Sequence, residues 1–369
     1  MYVQRLRQLC ETILSQPDSV SYYNWMYDDG VVLKGLEYAE DITADPRIFP
    51  YTKAYVDHFV TEDGRIPAVE KRPPSADCIN NGKVIFHVFR RTGEQRYESA
   101  LRYLYDYILK HPRLHDVSGF AHKAVYPDQM WLDGLYMMEP LYAEFVREWG
   151  PADRFKDIAD QFAYIEQFTY DEDKQLFYHA YDHSRRMFWC DPATGHSPCF
   201  WGRAMGWLGM AAVDALDYIP DSFPKQRATL IRVLNKLCDG LLRYQNQNGV
   251  WYQVVDQGGR TGNYEEASCS CMYAYTLKKG VQKGYLAPSF DKAAQRAMDG
   301  IWSRFVTEDA SGLLHIHQVC QVAGLGPEKK PERDGSYEYY IGEPVVDDDN
   351  KAVGALLCAL SVFARQSGK

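Results

Sequence analysis

The spacing of apolar residues along the chain predicts two kinds of helix. Amphipathic helices have apolar side chains at i, i+3, i+4 and i+7 with charged residues between them. They are predicted for residues 97–110, 154–168, 226–244 and 290–305. Helices of the second kind are apolar on most sides and are therefore expected to be buried on most sides. These are predicted for residues 30–39, 80–90, 131–145, 203–218, 268–279 and 351–364.

The two kinds alternate, which indicates a toroid of six inner helices surrounded by six outer ones. Segments 2–16 and 50–60 complete the outer set. No linker or low-complexity segment divides residues 1–369, so a single all-α domain is expected. An α-solenoid of helical pairs is the alternative, although the repeats lack the fixed short period of a solenoid. Strand signals are sparse, and residues 249–256 (GVWYQVVD) are the best candidate for a short hairpin.

In a toroid of this kind, the loops that lead into the inner helices share one face and line a central pit. These loops are rich in carboxylates and aromatic rings, and they comprise residues 25–30, 75–77, 126–134, 200–207, 264–266 and 347–349. Asp and Ser at such positions also suit helix N-caps, which explains single residues well. Their recurrence in every repeat favours a functional site.

Composition and charge narrow the classes of ligand. The chain has 41 basic and 50 acidic residues and a net charge of −9, which argues against binding to nucleic acid or to anionic membranes. The longest apolar stretch, residues 352–364, is shorter than the roughly 20 residues of a membrane span. The 28 Tyr and 8 Trp supply flat apolar faces with a polar group, which suit sugar rings.

The nine cysteines are scattered and include no C-x-x-C pair, which argues against zinc ribbons and thioredoxin-like sites. Scattered, buried, reduced thiols are typical of a cytoplasmic protein. The first 14 residues contain no apolar signal-peptide core, which also favours the cytoplasm. A periplasmic location is the alternative if a leader has been removed.

Asp133 is the strongest candidate for a catalytic residue. It lies in the first turn of a very apolar helix, directly after Trp131 and Leu132. Apolar surroundings disfavour the charged form of a carboxylate and so favour proton donation near neutral pH. Asp77 supplies a second carboxylate at the start of a neighbouring inner helix, and two close carboxylates would raise the pKa of one of them.

Other candidates are suited to binding. Trp201, Arg203 and Trp207 lie at i, i+2 and i+6, so that the indoles are placed to grip a ring and the guanidinium to bind a carboxylate. Aromatic core packing is the alternative for the two indoles. His179 follows a short extended segment and, taken alone, is more typical of a structural residue.

Metal and cofactor signals are weak. His315, His317 and Cys320 lack a further ligand at the usual spacing, so no metal ion is expected. The sequence contains no glycine-rich phosphate loop, no G-x-S-x-G motif and no kinase motifs, and no cofactor is expected.

At these residues the sequence resembles glycoside hydrolase family 105, the unsaturated rhamnogalacturonyl hydrolases. The motifs that carry the resemblance lie at residues 75–77 (SAD), 126–137 (YPDQMWLDGLYM), 177–179 (FYH), 201–207 (WGRAMGW) and 335–347 (GSYEYYIGEPVVD). They occur in order over most of the chain. They separate the family less cleanly from its sister, glycoside hydrolase family 88, the unsaturated glucuronyl hydrolases. The resemblance implies an (α/α)6 barrel, which agrees with the six inner helices.

The resemblance also implies a substrate and a reaction. The substrate is a small oligosaccharide left by a polysaccharide lyase, whose non-reducing uronate has a C4–C5 double bond. An acid protonates C4, water adds to C5, and the resulting hemiketal opens to release the rest of the sugar. One carboxyl group can donate and then accept a proton, so the two-carboxylate geometry of ordinary glycosidases is not required.

The resemblance further assigns roles to residues of this sequence. Asp133 matches the catalytic acid and base, and Asp77 matches the assisting carboxylate. The Trp faces are expected to hold the flattened unsaturated ring, and Arg203 is expected near its carboxylate. The substrate-contacting positions of the family fall on His179, Trp201, Arg203 and Trp207, and plausible pit-lining positions on Trp25, Tyr27 and Tyr337.

Two other function classes fit a toroid of this kind. An inverting glycosidase needs two carboxylates about 6.5–9.5 Å apart, and a sugar epimerase would draw on paired histidines, here His179 with His315 or His317. A non-catalytic sugar-binding protein is the third possibility. Binding an anionic ligand does not need two acids, so Asp133 and Asp77 favour an enzyme.

Overall fold

The described part of the computed structural model, residues 1–16, 19–21 and 24–365, is mostly helical. Helices begin and end close to the bounds that the apolar spacing predicts. In chain order they are α1 (Tyr2–Ser15), α2 (Tyr27–Thr43), α3 (Ile48–Phe59), α4 (Pro67–Glu70), α5 (Gly82–Thr92), α6 (Gln95–Leu109), α7 (Leu132–Glu148), α8 (Arg154–Thr169), α9 (Gly202–Ala215), α10 (Pro224–Tyr244), α11 (Ala267–Gln282), α12 (Phe290–Arg304), α13 (Tyr337–Gly342) and α14 (Asn350–Ala364).

Six of these helices form a closed inner ring. Each packs against the next in the order α2, α5, α7, α9, α11 and α14, and α14 packs back against α2. The amphipathic helices α1, α3, α6, α8, α10 and α12 pack on the outside of this ring. The chain is therefore an (α/α)6 barrel, which confirms the toroid predicted from the alternation of helices.

Glycines allow two inner helices to approach closely where the ring closes. A Cβ atom on Gly354 of α14 would lie 2.6 Å from the backbone of Val31 and Val32 in α2. A Cβ atom on Gly35 of α2 would lie 2.6 Å from the Cβ atom of Leu357. A side chain larger than glycine at either position would therefore push α2 and α14 apart.

Short antiparallel strand pairs lie in the loops of the barrel. The strands are β1 (Gln129–Trp131), β2 (Tyr170–Asp171), β3 (Leu176–Phe177), β4 (Ala180–Asp182), β5 (Val306–Glu308), β6 (Leu314–Ile316), β7 (Val319–Cys320) and β8 (Val345–Val346). They pair as β1 with β4, β2 with β3, β5 with β6, and β7 with β8. The hairpin predicted at residues 249–256 is wrong, because this segment makes only isolated bridges, from Tyr252 to Glu265 and from Val254 to Trp201.

The core is a continuous apolar cluster that runs around the ring between the inner and outer helices. All nine cysteines are buried and unpaired. They are distributed around the barrel, from Cys10 in α1 to Cys358 in α14. None of the helices in the described ranges is both long enough and apolar enough to cross a membrane.

Candidate active site

The strand pair β1–β4 brings two candidate residues together. Trp131, the last residue of β1, pairs with Ala180 of β4, and the backbone N–H of Leu132 donates to the carbonyl of His179 at 3.1 Å. Asp133 follows directly in the first turn of α7. The relative position of Asp133 and His179 is therefore set by backbone pairing between two distant parts of the chain.

Asp133 and His179 face each other in the pit. The His179 Nε2 atom lies 3.2 Å from the Asp133 Oδ2 atom, and the Asp133 side chain is 13 % exposed. On its other side, the His179 Nδ1 atom lies 2.6 Å from the hydroxyl of Tyr340, whose ring stacks on Trp201. Two tautomers fit this geometry: either Nδ1 accepts from the Tyr340 hydroxyl and Nε2 carries the proton on the side of Asp133, or Nδ1 donates to the Tyr340 oxygen and the Nε2 lone pair faces Asp133.

The two facing atoms of this pair are buried. The His179 Nε2 and Asp133 Oδ2 atoms are within ion-pair distance, but they are not aligned as a hydrogen bond. Neither atom has another hydrogen-bond partner within the described ranges.

Asp77 lies beside a lysine. Its Oδ2 atom is 2.5 Å from the Lys123 Nζ atom, and its Oδ1 atom is 3.8 Å from the His122 Nε2 atom. Burial disfavours the charge on Asp77, but Lys123 and His122 outweigh it and lower the pKa of this carboxyl below its ordinary value. Pairing with Asp133 was expected to raise the pKa of one carboxyl, and for Asp77 the neighbouring cation reverses that expectation.

A stack of rings connects the two carboxylates. The His122 ring stacks on Trp131 at 4.4 Å, and the His179 ring meets Trp131 edge-on at 5.1 Å. The ring of Tyr126 stacks on Trp131 at 5.3 Å with an interplanar angle of 11°. The Trp131 ring thus lies between His122, which neighbours Asp77, and His179, which faces Asp133.

Trp201 and Arg203 lie in the wall of the pit, and both are buried. The Arg203 Nη1 atom donates to the carbonyl of Cys320 at 2.5 Å and lies 3.8 Å from Glu266. The guanidinium also lies 4.8 Å from the ring of Trp201. Arg203 is therefore held through Nη1, while its buried Nε atom has no hydrogen-bond partner among the described residues; Lys123, by contrast, keeps 27 % of its side chain exposed.

Trp207 and Tyr27 contact each other. Trp207 is 1 % exposed and stacks on Tyr136 at 5.0 Å, and Tyr27 meets it edge-on at 6.2 Å. Burial raises the pKa of the half-buried Tyr27 well above its ordinary value. The charge of Arg203 lowers this pKa, and those of Asp77 and Asp133 raise it further. The faces of Trp201 and Trp207 contact protein rings, which differs from the expectation that both lie free for a sugar.

Two predicted pit-lining residues lie elsewhere. Trp25 is buried against Tyr55 and Phe59, and its Nε1–H group donates to the carbonyl of Cys78. The Tyr337 hydroxyl donates to the backbone carbonyls of residues 260 and 261. Both side chains are buried, and their polar atoms are already bonded to backbone carbonyls.

His315 and His317, which were considered for a metal ion or an epimerase, do not contact His179. His315 lies between Asp348 and Asp309, and His317 bonds to Thr307 and lies 2.9 Å from Asp347. Within the described ranges, no group of three or more metal-ligating side chains is close enough to hold an ion.

Sequence reasoning missed three residues of the site, Tyr340, Lys123 and His122. Tyr340 lies three residues after Tyr337, on the same side of the short helix α13, so helical spacing was the available signal. Lys123 and His122 lie in a loop without periodicity. Their position depends on the backbone bond from Ala76 N–H to the carbonyl of His122, which no sequence pattern reveals.

Two buried imidazoles next to the site predict an acid-sensitive fold. Burial lowers the pKa of His111 and of His122 to about 4. Below pH 6.5 the two imidazoles are protonated in the unfolded chain but stay neutral in the folded chain. The free energy of unfolding therefore falls as the pH drops from 6.5 towards 4. His111→Gln can keep the bond to the carbonyl of Ala121, and it should remove up to about 1.4 kcal/mol per pH unit from this slope.

Urea unfolding at several pH values between 4 and 7 measures the slope. His115→Gln is the matched control, because the His115 side chain is 77 % exposed. Parallel slopes for wild type and His111→Gln would contradict the prediction.

Comparison with known proteins agrees with this geometry. The family model described as Glycosyl Hydrolase Family 88 matches residues 7–366. A solved glycoside hydrolase from family 105 of C. acetobutylicum ATCC 824 superposes with a TM-score of 0.93 at 39 % identity, covering 97 % of this chain and 98 % of that one. The 24.9 kDa protein in picA locus of Rhizobium radiobacter is 38 % identical over 224 residues, which are 60 % of this chain and 95 % of that protein.

A further relative has a described activity. The unsaturated rhamnogalacturonyl hydrolase YesR of Bacillus subtilis is 28 % identical over 263 residues, which are 69 % of this chain and 70 % of YesR. The family match extends over nearly the whole chain and includes the positions of Asp133 and His179. In sequence and fold the chain resembles the solved family 105 enzyme. The chain therefore belongs to glycosyl hydrolase family 88, as this family model defines it, and it is a glycoside hydrolase.

Proposed function

We propose that this glycoside hydrolase removes the 4,5-unsaturated uronate from the non-reducing end of polysaccharide-lyase products, with unsaturated galacturonate linked to rhamnose as its substrate. The observation that carries the proposal is the facing pair of His179 and Asp133 at the start of α7, with the Nε2 and Oδ2 atoms 3.2 Å apart. An acid of this kind can deliver a proton to carbon and take one back from water. Similarity to YesR supports rhamnose as the neighbouring sugar.

Asp133 acts as the acid and then as the base. Protonated Asp133 transfers its proton to C4, and the C4–C5 π electrons form the new C–H bond. Positive charge then develops at C5 and is shared with the ring oxygen. Water attacks C5 and gives its proton to the Asp133 carboxylate, which restores the acid. The product is a hemiketal at C5. Its ring opens to a C5 ketone and a C1 hemiacetal, and the hemiacetal collapses to an aldehyde, which breaks the C1–O bond and releases the second sugar as an alcohol.

His179 positions Asp133 for both transfers. The Tyr340 hydroxyl holds the imidazole on its far side, so the ring cannot turn away from the carboxyl. With its proton on Nε2, His179 also presents a donor to the attacking water or to a substrate hydroxyl. Trp201 packs against both rings and keeps this set in place.

The uronate carboxylate needs a cation, and Lys123 is better placed for this role than Arg203. Lys123 is partly exposed beside Asp77, whereas Arg203 is buried with its Nη1 atom bonded to backbone. Arg203 supports the site from behind, through its contact with Trp201 and its long-range positive charge. Asp77 holds Lys123 in position and assists as a second carboxylate near the reacting ring.

The test is the loss of absorbance near 235 nm, where the conjugated C4–C5 alkene absorbs. Purified enzyme with EDTA is added to lyase-generated rhamnogalacturonan disaccharide and, separately, to unsaturated glucuronyl disaccharides. We expect the signal to fall with the rhamnose-linked substrate at a kcat/KM at least about tenfold higher than with the glucuronyl ones, as for a polar site that discriminates between sugars.

The other outcomes are equally informative. Faster turnover of a glucuronyl disaccharide would keep the hydration chemistry and replace the substrate by another glycan. A constant signal with every unsaturated substrate, together with cleavage of a saturated oligosaccharide, would establish an inverting glycosidase instead. Loss of activity in EDTA would contradict the expectation that no metal ion takes part.

The compartment is part of this proposal. All nine thiols are unpaired, which supports a reducing compartment such as the cytoplasm. Oligosaccharides of two to four residues, rather than the polymer, would then be the physiological substrates.

A further inference from the structure

A groove opens next to the pit and is formed by three loops. Its volume is about 380 Å3, and its walls are residues 125–129, then Ser184, Arg186 and Met187, and residues 327–328. This volume lies in the range of small-molecule binding sites. The groove contains neither Asp133 nor His179, so it is a separate surface from the catalytic pair.

The groove and the catalytic site share a boundary at Tyr126 and Trp131. Tyr126 lines the groove, and its ring stacks on Trp131, the residue that separates the two carboxylates. The Lys123 Nζ atom lies 5.9 Å from the centre of the Tyr126 ring and 2.5 Å from Asp77. A chain of sugars that leaves the pit past Lys123 would therefore reach the face of Tyr126 next.

The loop that carries one wall of the groove is held rigidly. The buried carboxylate of Asp182 accepts hydrogen bonds from the backbone N–H groups of Ser184, Arg186 and Met187. Met187 also packs on the apolar cluster of Trp131 and its neighbours. A wall that is ordered before binding loses little entropy when a ligand arrives.

The opposite wall is anchored in the same way. Gly324 lies where a Cβ atom would contact the guanidinium of Arg333 and the ring of Trp131, at 2.7 and 3.4 Å. The hydroxyl of Tyr339 accepts from both the Gly324 backbone N–H group and the Arg333 Nε–H group. Residues 327 and 328 are therefore presented to the groove by a loop packed against the site.

The chemistry of the groove suits an acidic sugar. Tyr126 offers a ring face, and Arg186 offers an exposed guanidinium that makes no hydrogen bond or ion pair with any residue of the described ranges. A guanidinium binds a carboxylate through two parallel hydrogen bonds. Two carboxylates also line the groove and would repel the same ligand: Glu328 on the opposite wall, and Asp128, whose Oδ1 atom accepts from the backbone N–H group of His115.

We propose that this groove binds the third residue of a longer lyase product, and that this residue is a uronate held by Arg186 and Tyr126. The proposal rests on the proposed function. In a tetrasaccharide built from two uronate–rhamnose units, the unsaturated uronate fills the pit, the first rhamnose lies at its mouth, and the third residue again carries a carboxylate.

The experiment compares kcat/KM for the unsaturated disaccharide and the unsaturated tetrasaccharide, both followed at 235 nm. Wild type is expected to prefer the tetrasaccharide by about fivefold, the upper end of what one solvent-exposed ion pair contributes. In Arg186→Gln this ratio is expected to fall to about one. Raising NaCl from 50 to 500 mM should lower the wild-type ratio and leave the ratio of Arg186→Gln unchanged.

Two further variants make the result specific. Arg185→Gln removes the neighbouring exposed arginine, which does not line the groove, and it should keep the wild-type ratio. Glu328→Gln removes the repulsive charge and should increase the ratio. The opposite signs expected for Arg186→Gln and Glu328→Gln distinguish a charge effect from a general change in the loops.

The two possible failures can be told apart. Equal kcat/KM for both substrates in wild type, or an unchanged ratio in Arg186→Gln, would overturn the groove proposal and leave the proposed function intact. If neither substrate loses absorbance, the proposed function is wrong and the groove proposal falls with it.

Discussion

Replacing Asp133 by asparagine should lower kcat on an unsaturated uronyl disaccharide by at least about a thousandfold, within the range that a general acid and base contributes. Asparagine has nearly the same shape but cannot protonate C4 or accept a proton from water. It leaves α7 and the β1–β4 pair intact, because no hydrogen bond of the fold depends on the Asp133 Oδ2 atom. KM should change by much less than kcat, since the loss is confined to the transition state.

Single-turnover measurements at 235 nm with excess enzyme test this prediction and separate chemistry from product release. Asp160→Asn, the same chemical change on outer helix α8, is the matched control and should retain wild-type kcat. Thermal unfolding should show the same midpoint for Asp133→Asn and wild type. An Asp133→Asn enzyme that keeps a tenth or more of wild-type kcat would move the acid to another residue, with Asp77 the first to examine.

The largest effect on stability is expected for Lys279→Met. The Lys279 Nζ atom lies 2.6 Å from Asp214 Oδ1 and 2.7 Å from Asp217 Oδ2, and it is almost fully buried on inner helix α11. Burial alone would lower the pKa of this ammonium, but the two carboxylates outweigh it and raise the pKa. Methionine fills the space and leaves Asp214 buried without a countercharge, which costs about 3–5 kcal/mol.

Urea unfolding followed by far-UV circular dichroism measures this loss. Lys278→Met, one residue earlier, is the control, because Lys278 pairs with the half-exposed Asp291 and should cost no more than about 1 kcal/mol. The double variant Lys279→Met with Asp214→Asn should recover part of the loss, since it removes the stranded charge. Equal unfolding midpoints for Lys279→Met and Lys278→Met would show that the buried charges do not stabilise the ring.

The barrel could be predicted from the sequence because its signals are local. The apolar spacing of residues 97–110 gives the same helix in any context, and the observed helix Gln95–Leu109 differs by one or two residues at each end. Residues 249–256 were mispredicted because alternating apolar side chains also suit an extended segment buried between loops. Its partners, Glu265 and Trp201, lie on other segments, so no hairpin forms.

The site was predictable only where chemistry and local position coincide. Asp133 is recognisable because it is polar in an apolar helix, and in the structure it faces His179. Trp25 and Tyr337 looked similar in sequence, yet tertiary packing directs them into the core and onto backbone carbonyls. An aromatic residue at the start of an inner helix has the same sequence signature whether it faces the pit or the core.

The nine buried thiols can be used to measure where the barrel opens locally. A thiol reagent cannot reach any of them until the segment around it separates from its neighbours, and the labelling rate then measures the free energy of that local separation. Cys10, Cys238 and Cys358 lie on α1, α10 and α14, so mass spectrometry of the labelled peptides resolves opposite sides of the ring. The order in which these peptides are labelled would show which helices of the barrel unfold first, and the measurement needs no added cysteine.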